Sequence, residues 1–152
     1  MESDSMLNNE NAIDKSRIKD DLKGYKILLI EDTLDARTLI GRILSNAGGN
    51  VFSVANVKEA RSLLNEFRPD VIISDIGMPE EDGISFIKSL RDDERFQGQH
   101  IPAIALTAYI TSDYKHLTLK AGFEAHLCKP ISASSLVETV VDVIRGSRSP
   151  LH

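Results

Sequence analysis

A doubly wound α/β domain, with helices on both faces of a parallel five-stranded sheet, is predicted by three features of this sequence. Short continuous apolar runs recur, they alternate with segments of helical period, and glycine or proline stands at most of the junctions. A strand covered on both faces reads as an unbroken apolar run because neither face meets water. Five βα units of this length with right-handed crossovers close a three-layer domain, whereas an eight-unit barrel needs about 250 residues.

The elements follow in order. Residues 1–23 are rich in Asn, Asp, Ser, Lys and Glu, and are read as a flexible tail or linker with at most a short helix around Ile18 and Leu22. The folded unit is taken as 24–146, with 147–152 as a C-terminal tail. Ile27–Ile30 is the first strand; Ala36, Leu39, Ile40, Ile43, Leu44 and Ala47 then recur at helical spacing and stop at Gly48-Gly49, which suits a left-handed cap. Val51–Val54 is the second strand, and Val57, Ala60, Leu63, Leu64 and Phe67 mark the next helix, closed by Pro69. Val71–Ile73 is the third strand. A loop dense in turn residues runs from Gly77-Met78-Pro79 to Asp82-Gly83, and Ile84, Ile87 and Leu90 give the third helix a narrow apolar stripe. Ile101–Leu106 is the fourth strand, with Pro102 near its start, where a missing N–H does least harm. A more polar helix runs from about Ser112 to Ala121 and ends at Gly122. Ala125–Cys128 is the fifth strand, and Leu136, Val137, Val140, Val141 and Ile144 form the last helix, with Ser132 as its N-cap. The sheet order expected is 2-1-3-4-5, as in flavodoxin-like folds, which puts strands one and three side by side.

With 18 Lys and Arg against 23 Asp and Glu, the formal net charge is −5, and no basic stripe is present. That argues against non-specific nucleic-acid binding, which relies on clustered cations neutralising phosphates. The apolar runs are far shorter than the roughly 20 residues of a membrane span, and the N-terminus has no signal-peptide pattern, so a cytoplasmic protein is expected. Cys128, the lone cysteine, sits in an apolar strand run and is expected to be a core thiol.

Four strand runs end in side chains suited to phosphoryl chemistry: Glu31-Asp32, Asp75, Thr107 and Lys129. Residues at the carboxyl ends of such strands converge on one crevice. Glu31, Asp32 and Asp75 would repel one another there, and an all-carboxylate oxygen set without His or Cys favours Mg²⁺. Lys129 supplies an ammonium that can pair with Asp75 and later with a phosphoryl oxygen; the Thr107 hydroxyl can donate a hydrogen bond to the same group. An Asp flanked by metal and Lys can act as a nucleophile.

The stretches ILLIED, IISDIGMPEEDG, IALTA and HLCKPI, in this order and spacing, resemble the receiver domain of two-component response regulators over roughly Gly24 to Arg145. The wording around IPAIALTAY and AGFEAHLCKPI is most like receivers attached to hybrid sensor histidine kinases. The resemblance implies that Asp75 is the phosphoacceptor and that Glu31, Asp32 and Asp75, with the Gly77 carbonyl, hold Mg²⁺. It implies Thr107 and Lys129 as contacts to the phosphoryl group, a cis Lys129-Pro130 peptide, and matches Met78-Pro79 and Gly83 to the loop after the acceptor strand. Thr107 and His126 occupy the switch positions; His126 stands where chemotaxis-type receivers often carry an aromatic, although a His at the end of a partly exposed strand is more often a surface residue than a switch, and Tyr109 lies where receivers tune dephosphorylation. The implied donor is a sensor histidine kinase or histidine phosphotransfer domain, and the implied output is a protein target read through the fourth helix, fifth strand and fifth helix. Such a domain is no enzyme beyond its own phosphorylation and dephosphorylation.

Three other readings stand beside this one. A pseudo-receiver would keep the fold as a protein-interaction module without phosphorylation, although the full acidic, Thr and Lys set disfavours it. A metal-dependent phosphatase needs a second acid two residues after the nucleophile, and position 77 is Gly. Flavin binding needs donors after the first strand, where Glu31-Asp32-Thr33 is acidic.

Overall fold

The computed structural model describes residues 20–77, 82–93, 100–108 and 111–148. Within them the chain alternates strand and helix: β1 (Lys26–Ile30), α1 (Leu34–Asn46), β2 (Asn50–Val54), α2 (Val57–Leu64), β3 (Val71–Asp75), α3 (Gly83–Asp92), β4 (Ala103–Thr107), α4 (Ser112–Ala121), β5 (Ala125–Cys128) and α5 (Ala133–Arg148). All strand pairs are parallel and the order is β2-β1-β3-β4-β5, as expected from the sequence.

The pleat sorts each strand's side chains between two cores. Ile27 and Leu29 of β1, Val71 and Ile73 of β3, and Ile104 and Leu106 of β4 pack with Ile40 and Leu44 of α1 and Leu136, Val137 and Val140 of α5. Leu28, Ile30, Ile72, Ala103 and Ala105 face the other way, onto Val57 and Ala60 of α2, Phe86, Ile87 and Leu90 of α3, and Ala121 of α4. β3 and β4 are buried along their whole length. This accounts for unbroken apolar runs: with a helix layer on each side, neither pleat position reaches water.

Four of the five helix starts are set by local polar side chains. Asn56, Asp82, Thr111 and Ser132 each accept the backbone N–H three residues on, at 2.9, 2.8, 3.2 and 3.2 Å. Gly48 and Gly122 take the positive φ values, 96° and 112°, that end α1 and α4.

Besides shifts of one or two residues at the ends of β1, β2 and β3, the structure departs from expectation in several respects. Leu22, read as tail, is fully buried in the α1–α5 core, and its N–H donates to the Ala47 carbonyl, so the folded unit reaches back into that stretch. α2 stops at Leu64; Phe67 owes its apolar character to the Phe52 ring at 4.5 Å between centroids. β4 starts at Ala103, because Pro102 joins the ladder only through its carbonyl, which accepts from the Ile72 N–H. α5 continues to Arg148. Cys128 is exposed, against the core thiol expected: β5 is an edge strand whose alternation sends Leu127 into the core and Cys128 to the other face, at the strand's open end. Residues 1–19, Met78-Pro79, Tyr109 and His152 lie outside the described residues.

Candidate functional site

Ladder hydrogen bonds run past the strand ends and hold the site residues in place. The Glu31 N–H donates to the Val54 carbonyl, Ile76 to Leu106, and Lys129 to Thr107 at 2.8 Å. The Glu31 turn is thereby tied to the end of β2, and the ends of β3, β4 and β5 are tied to one another. Arg37, one turn into α1, donates to the Glu31 carbonyl at 2.9 Å and braces the acidic turn.

Glu31, Asp32 and Asp75 each offer one carboxylate oxygen in a cluster whose members lie within 4.8 Å of one another. Glu31 is wholly buried and Asp75 is 8% exposed, while Asp32 faces solvent. Among the described residues no other group of three or more His, Cys, Asp or Glu could hold a metal ion. The Lys129 ammonium reaches Glu31 Oε1 at 2.6 Å and Asp75 Oδ2 at 3.4 Å. The sequence suggested Asp75 as its partner; the closer contact goes to the more deeply buried carboxylate, which has no water to carry its charge. Glu31 Oε2 takes the Thr33 N–H at 3.0 Å, and Asp75 Oδ1 takes the Gly77 N–H at 3.0 Å.

Burial pushes the Glu31 carboxyl above the usual carboxylate range, against the pull of Lys129 and the Thr33 N–H, and the neighbouring Asp75 charge adds to the rise. Burial pulls the Lys129 ammonium down, but its hydrogen bond to Glu31 and the charges of Asp75 and Glu31 outweigh this, and the net shift is upward. The site sets three carboxyl groups around one ammonium. Three carboxylates and a single cation leave room for further positive charge, and an all-oxygen donor set suits a hard divalent ion.

Thr107 closes β4 and is 4% exposed, one residue beyond the Asp75–Leu106 register pair. The Lys129-Pro130 peptide is cis, as expected. Gly83, at the start of α3, could not be replaced freely: a Cβ there would lie 2.6 Å from the Asp75 carbonyl oxygen and 2.6 Å from Ser74 Oγ. Its absence lets α3 begin against the backbone of the Asp75 strand.

Residues 27–141 match the family model for the response regulator receiver domain. The chain belongs to this family. Among curated relatives it is 34% identical over 129 residues to the hybrid signal transduction histidine kinase D of Dictyostelium discoideum, a match that takes in 81% of this chain and 8% of that kinase. It is 33% identical to the polar-differentiation response regulator DivK of Brucella anthropi, covering 75% of this chain and 91% of DivK. Among solved structures, the receiver domain of the sensor histidine kinase PA1611 from Pseudomonas aeruginosa superposes with a TM-score of 0.72 at 32% identity, covering 80% of this chain and 98% of that one, and carries a magnesium ion in its active-site cleft. The chemotaxis regulator CheY4 of Vibrio cholerae superposes equally well, with a TM-score of 0.72 at 29% identity over 78% of this chain and 98% of that one. The protein is thus a two-component receiver domain, similar to those of hybrid kinases, with a signalling role.

Within this receiver, His126 is half-buried on β5 and hydrogen-bonded to Thr118 of α4, a partner that sequence reasoning missed. Also missed were Arg37, Gly83's tight fit and a cluster at the opposite end of the sheet. There Arg91 donates to the Ile101 carbonyl at 2.6 Å, to the Gly122 carbonyl at 2.8 Å and to Glu124 at 3.1 Å, while His100 contacts the same Glu124. An isolated Arg or Glu at an element boundary carries no sequence signal of its partners. Among the described residues no helix is long and apolar enough to cross a membrane.

Proposed function

We propose that this receiver accepts a phosphoryl group on Asp75 from the phosphohistidine of a sensor histidine kinase or histidine phosphotransfer domain. The observation that supports this most is the Lys129 ammonium lying against Glu31 and Asp75 inside the three-carboxylate cluster. Asp75 is poised as a nucleophile: the Gly77 N–H orients one oxygen and Lys129 draws on the other. That carboxylate attacks phosphorus; a P–O bond forms, the P–N bond to the donor imidazole breaks, and the leaving nitrogen keeps the electron pair and takes up a proton. Lys129 then neutralises a phosphoryl oxygen and Thr107 donates a hydrogen bond to it. The carboxylates of Glu31, Asp32 and Asp75 with the Gly77 carbonyl would hold Mg²⁺, which when bound supplies the positive charge that lets a phosphoryl dianion approach an acidic pocket. Attack of water on the same phosphorus returns the carboxylate, so the domain's only catalysis is on itself.

In this reading 24–146 is the signalling unit, with Leu22 as an added anchor, and it works in the cytoplasm, where kinase partners would meet it. Thr107 and His126 relay the phosphorylated state to the surface of α4, β5 and α5, where a protein target binds; Tyr114, Leu117 and Leu119 stand exposed on α4, the latter two 50% and 57%. No nucleic acid or membrane is involved. Incubation with acetyl phosphate and Mg²⁺ should add one phosphate to the intact mass, and Asp75→Asn should abolish the adduct. Labelling retained in the variant overturns the assignment, and an unlabelled wild type returns the protein to the interaction-module reading.

A further inference from the structure

Thr118 is a fully buried polar side chain of α4. Its hydroxyl donates to the Lys115 carbonyl at 3.0 Å on the same helix. A hydroxyl has one proton, so its contact with His126 Nε2 runs the other way, with the imidazole N–H donating and the Thr118 oxygen accepting. The bond ties α4 to β5 and holds the half-buried His126 ring against the helix.

We infer that Thr118 is a positioning residue for phosphorylation: by holding His126 against α4 it weights the domain toward its unphosphorylated arrangement and sets how readily Asp75 is loaded. The inference rests on the phosphoacceptor reading above and adds a regulatory residue to it. By strand alternation Thr107, Ala105 and His126 share the face of the sheet that α4 covers, and His126 pairs with Ala105 in the ladder. The backbone of Thr107 is locked to Lys129. A response of Thr107 to a phosphoryl group can therefore reach α4 through side chains on this face. Any displacement of α4 or of the ring breaks the Thr118–His126 bond. Removing the bond lowers the cost of that displacement, and one net hydrogen bond corresponds to a shift of about two- to tenfold in the equilibrium.

The test uses the full chain as wild type, Thr118→Val, Thr118→Ser and His126→Phe, with labelling by acetyl phosphate in Mg²⁺, beryllofluoride affinity and melting temperature measured on each. Thr118→Val should label and bind beryllofluoride about two- to tenfold better, Thr118→Ser should behave as wild type, and the His126 Nε2 resonance should move only in Thr118→Val. If Thr118→Val does not fold, His126→Phe carries the same expectation, because it removes the donor from the half-exposed side and leaves Thr118 bonded to Lys115. A folded variant that melts lower yet labels at the wild-type rate makes Thr118 a packing residue and overturns the inference alone. A wild type that neither labels nor binds beryllofluoride overturns the phosphoacceptor reading and this inference with it.

Discussion

Lys129 is where the electrostatics of the site come to a point. It is the ammonium in contact with Glu31, which has no exposure to solvent, and with Asp75. Its upward shift means that its contribution to stability is fully present below the ordinary lysine range and is lost as pH rises through its folded value. Glu31 carries an upward shift too, so the folded state holds that proton more tightly than the unfolded chain, and Glu31 weighs against folding increasingly as pH rises from the ordinary carboxylate range to its folded value, and fully above it. Lys129→Met should therefore destabilise the metal-free protein by about 1–3 kcal/mol at pH 8, the cost of stranding a buried charged acceptor. At pH 5 the loss should shrink, because an uncompensated Glu31 protonates instead. Urea titrations in chelator at the two pH values check this; an equal loss at both would mean that packing of the lysine stem, not charge, is what the substitution removes. The pairing with Glu31 was only half legible in the sequence. Strand-end position brought the right residues together, but which carboxylate lies deeper depends on packing that no spacing encodes.

At the scale of elements, the helices and strands were readable because burial on two faces leaves a strong imprint: Ile27–Ile30 and Ile104–Leu106 have no polar position for water to occupy. Two of the misread boundaries share one cause. Leu22 and Phe67 are apolar residues outside any periodic run, and each is explained by a distant neighbour, Ala47 and the α1–α5 core for one, Phe52 for the other. Arg91 belongs to the same class. Burial lowers its guanidinium, against the pull of Glu124, yet it stays bound to two carbonyls and a carboxylate that come from the starts of β4 and β5 and the end of α4. Arg91→Met keeps much of the stem and strands those acceptors, so it should cost about 1–3 kcal/mol in a urea titration. The clamp sits at the amino ends of the strands and the carboxylates sit at the carboxyl ends. Labelling by acetyl phosphate, normalised to folded protein, should therefore stay at the wild-type rate; a fall in that rate would show that the two ends of the sheet are coupled.

For the molecule as a whole, the site is a deliberate weakness in an otherwise well-satisfied fold. Among the described residues no buried side-chain nitrogen or oxygen lacks a hydrogen-bond partner, yet three carboxylates share one end of the sheet with oxygens within 4.8 Å. At such a separation a like-charge pair costs between about 1 kcal/mol in water and about 3.5 kcal/mol at an effective dielectric of 20. Asp32 is exposed, so its share lies at the lower end. Two consequences of opposite sign follow for Asp32→Asn. Without metal, losing one of three repelling charges should raise the stability of the fold by about 1 kcal/mol. With Mg²⁺, the wild type gains through binding that only the native state offers, about 2.7 kcal/mol when the ion stands at a hundred times its dissociation constant. The variant, lacking a ligand, should gain much less. Melting curves of the two proteins should then cross: Asp32→Asn higher in chelator, wild type higher in saturating Mg²⁺. A variant that lies below wild type in both conditions would show that Asp32 stabilises the loop by contacts of its own. A variant whose response to Mg²⁺ matches the wild type would place the ion elsewhere than between Glu31, Asp32 and Asp75.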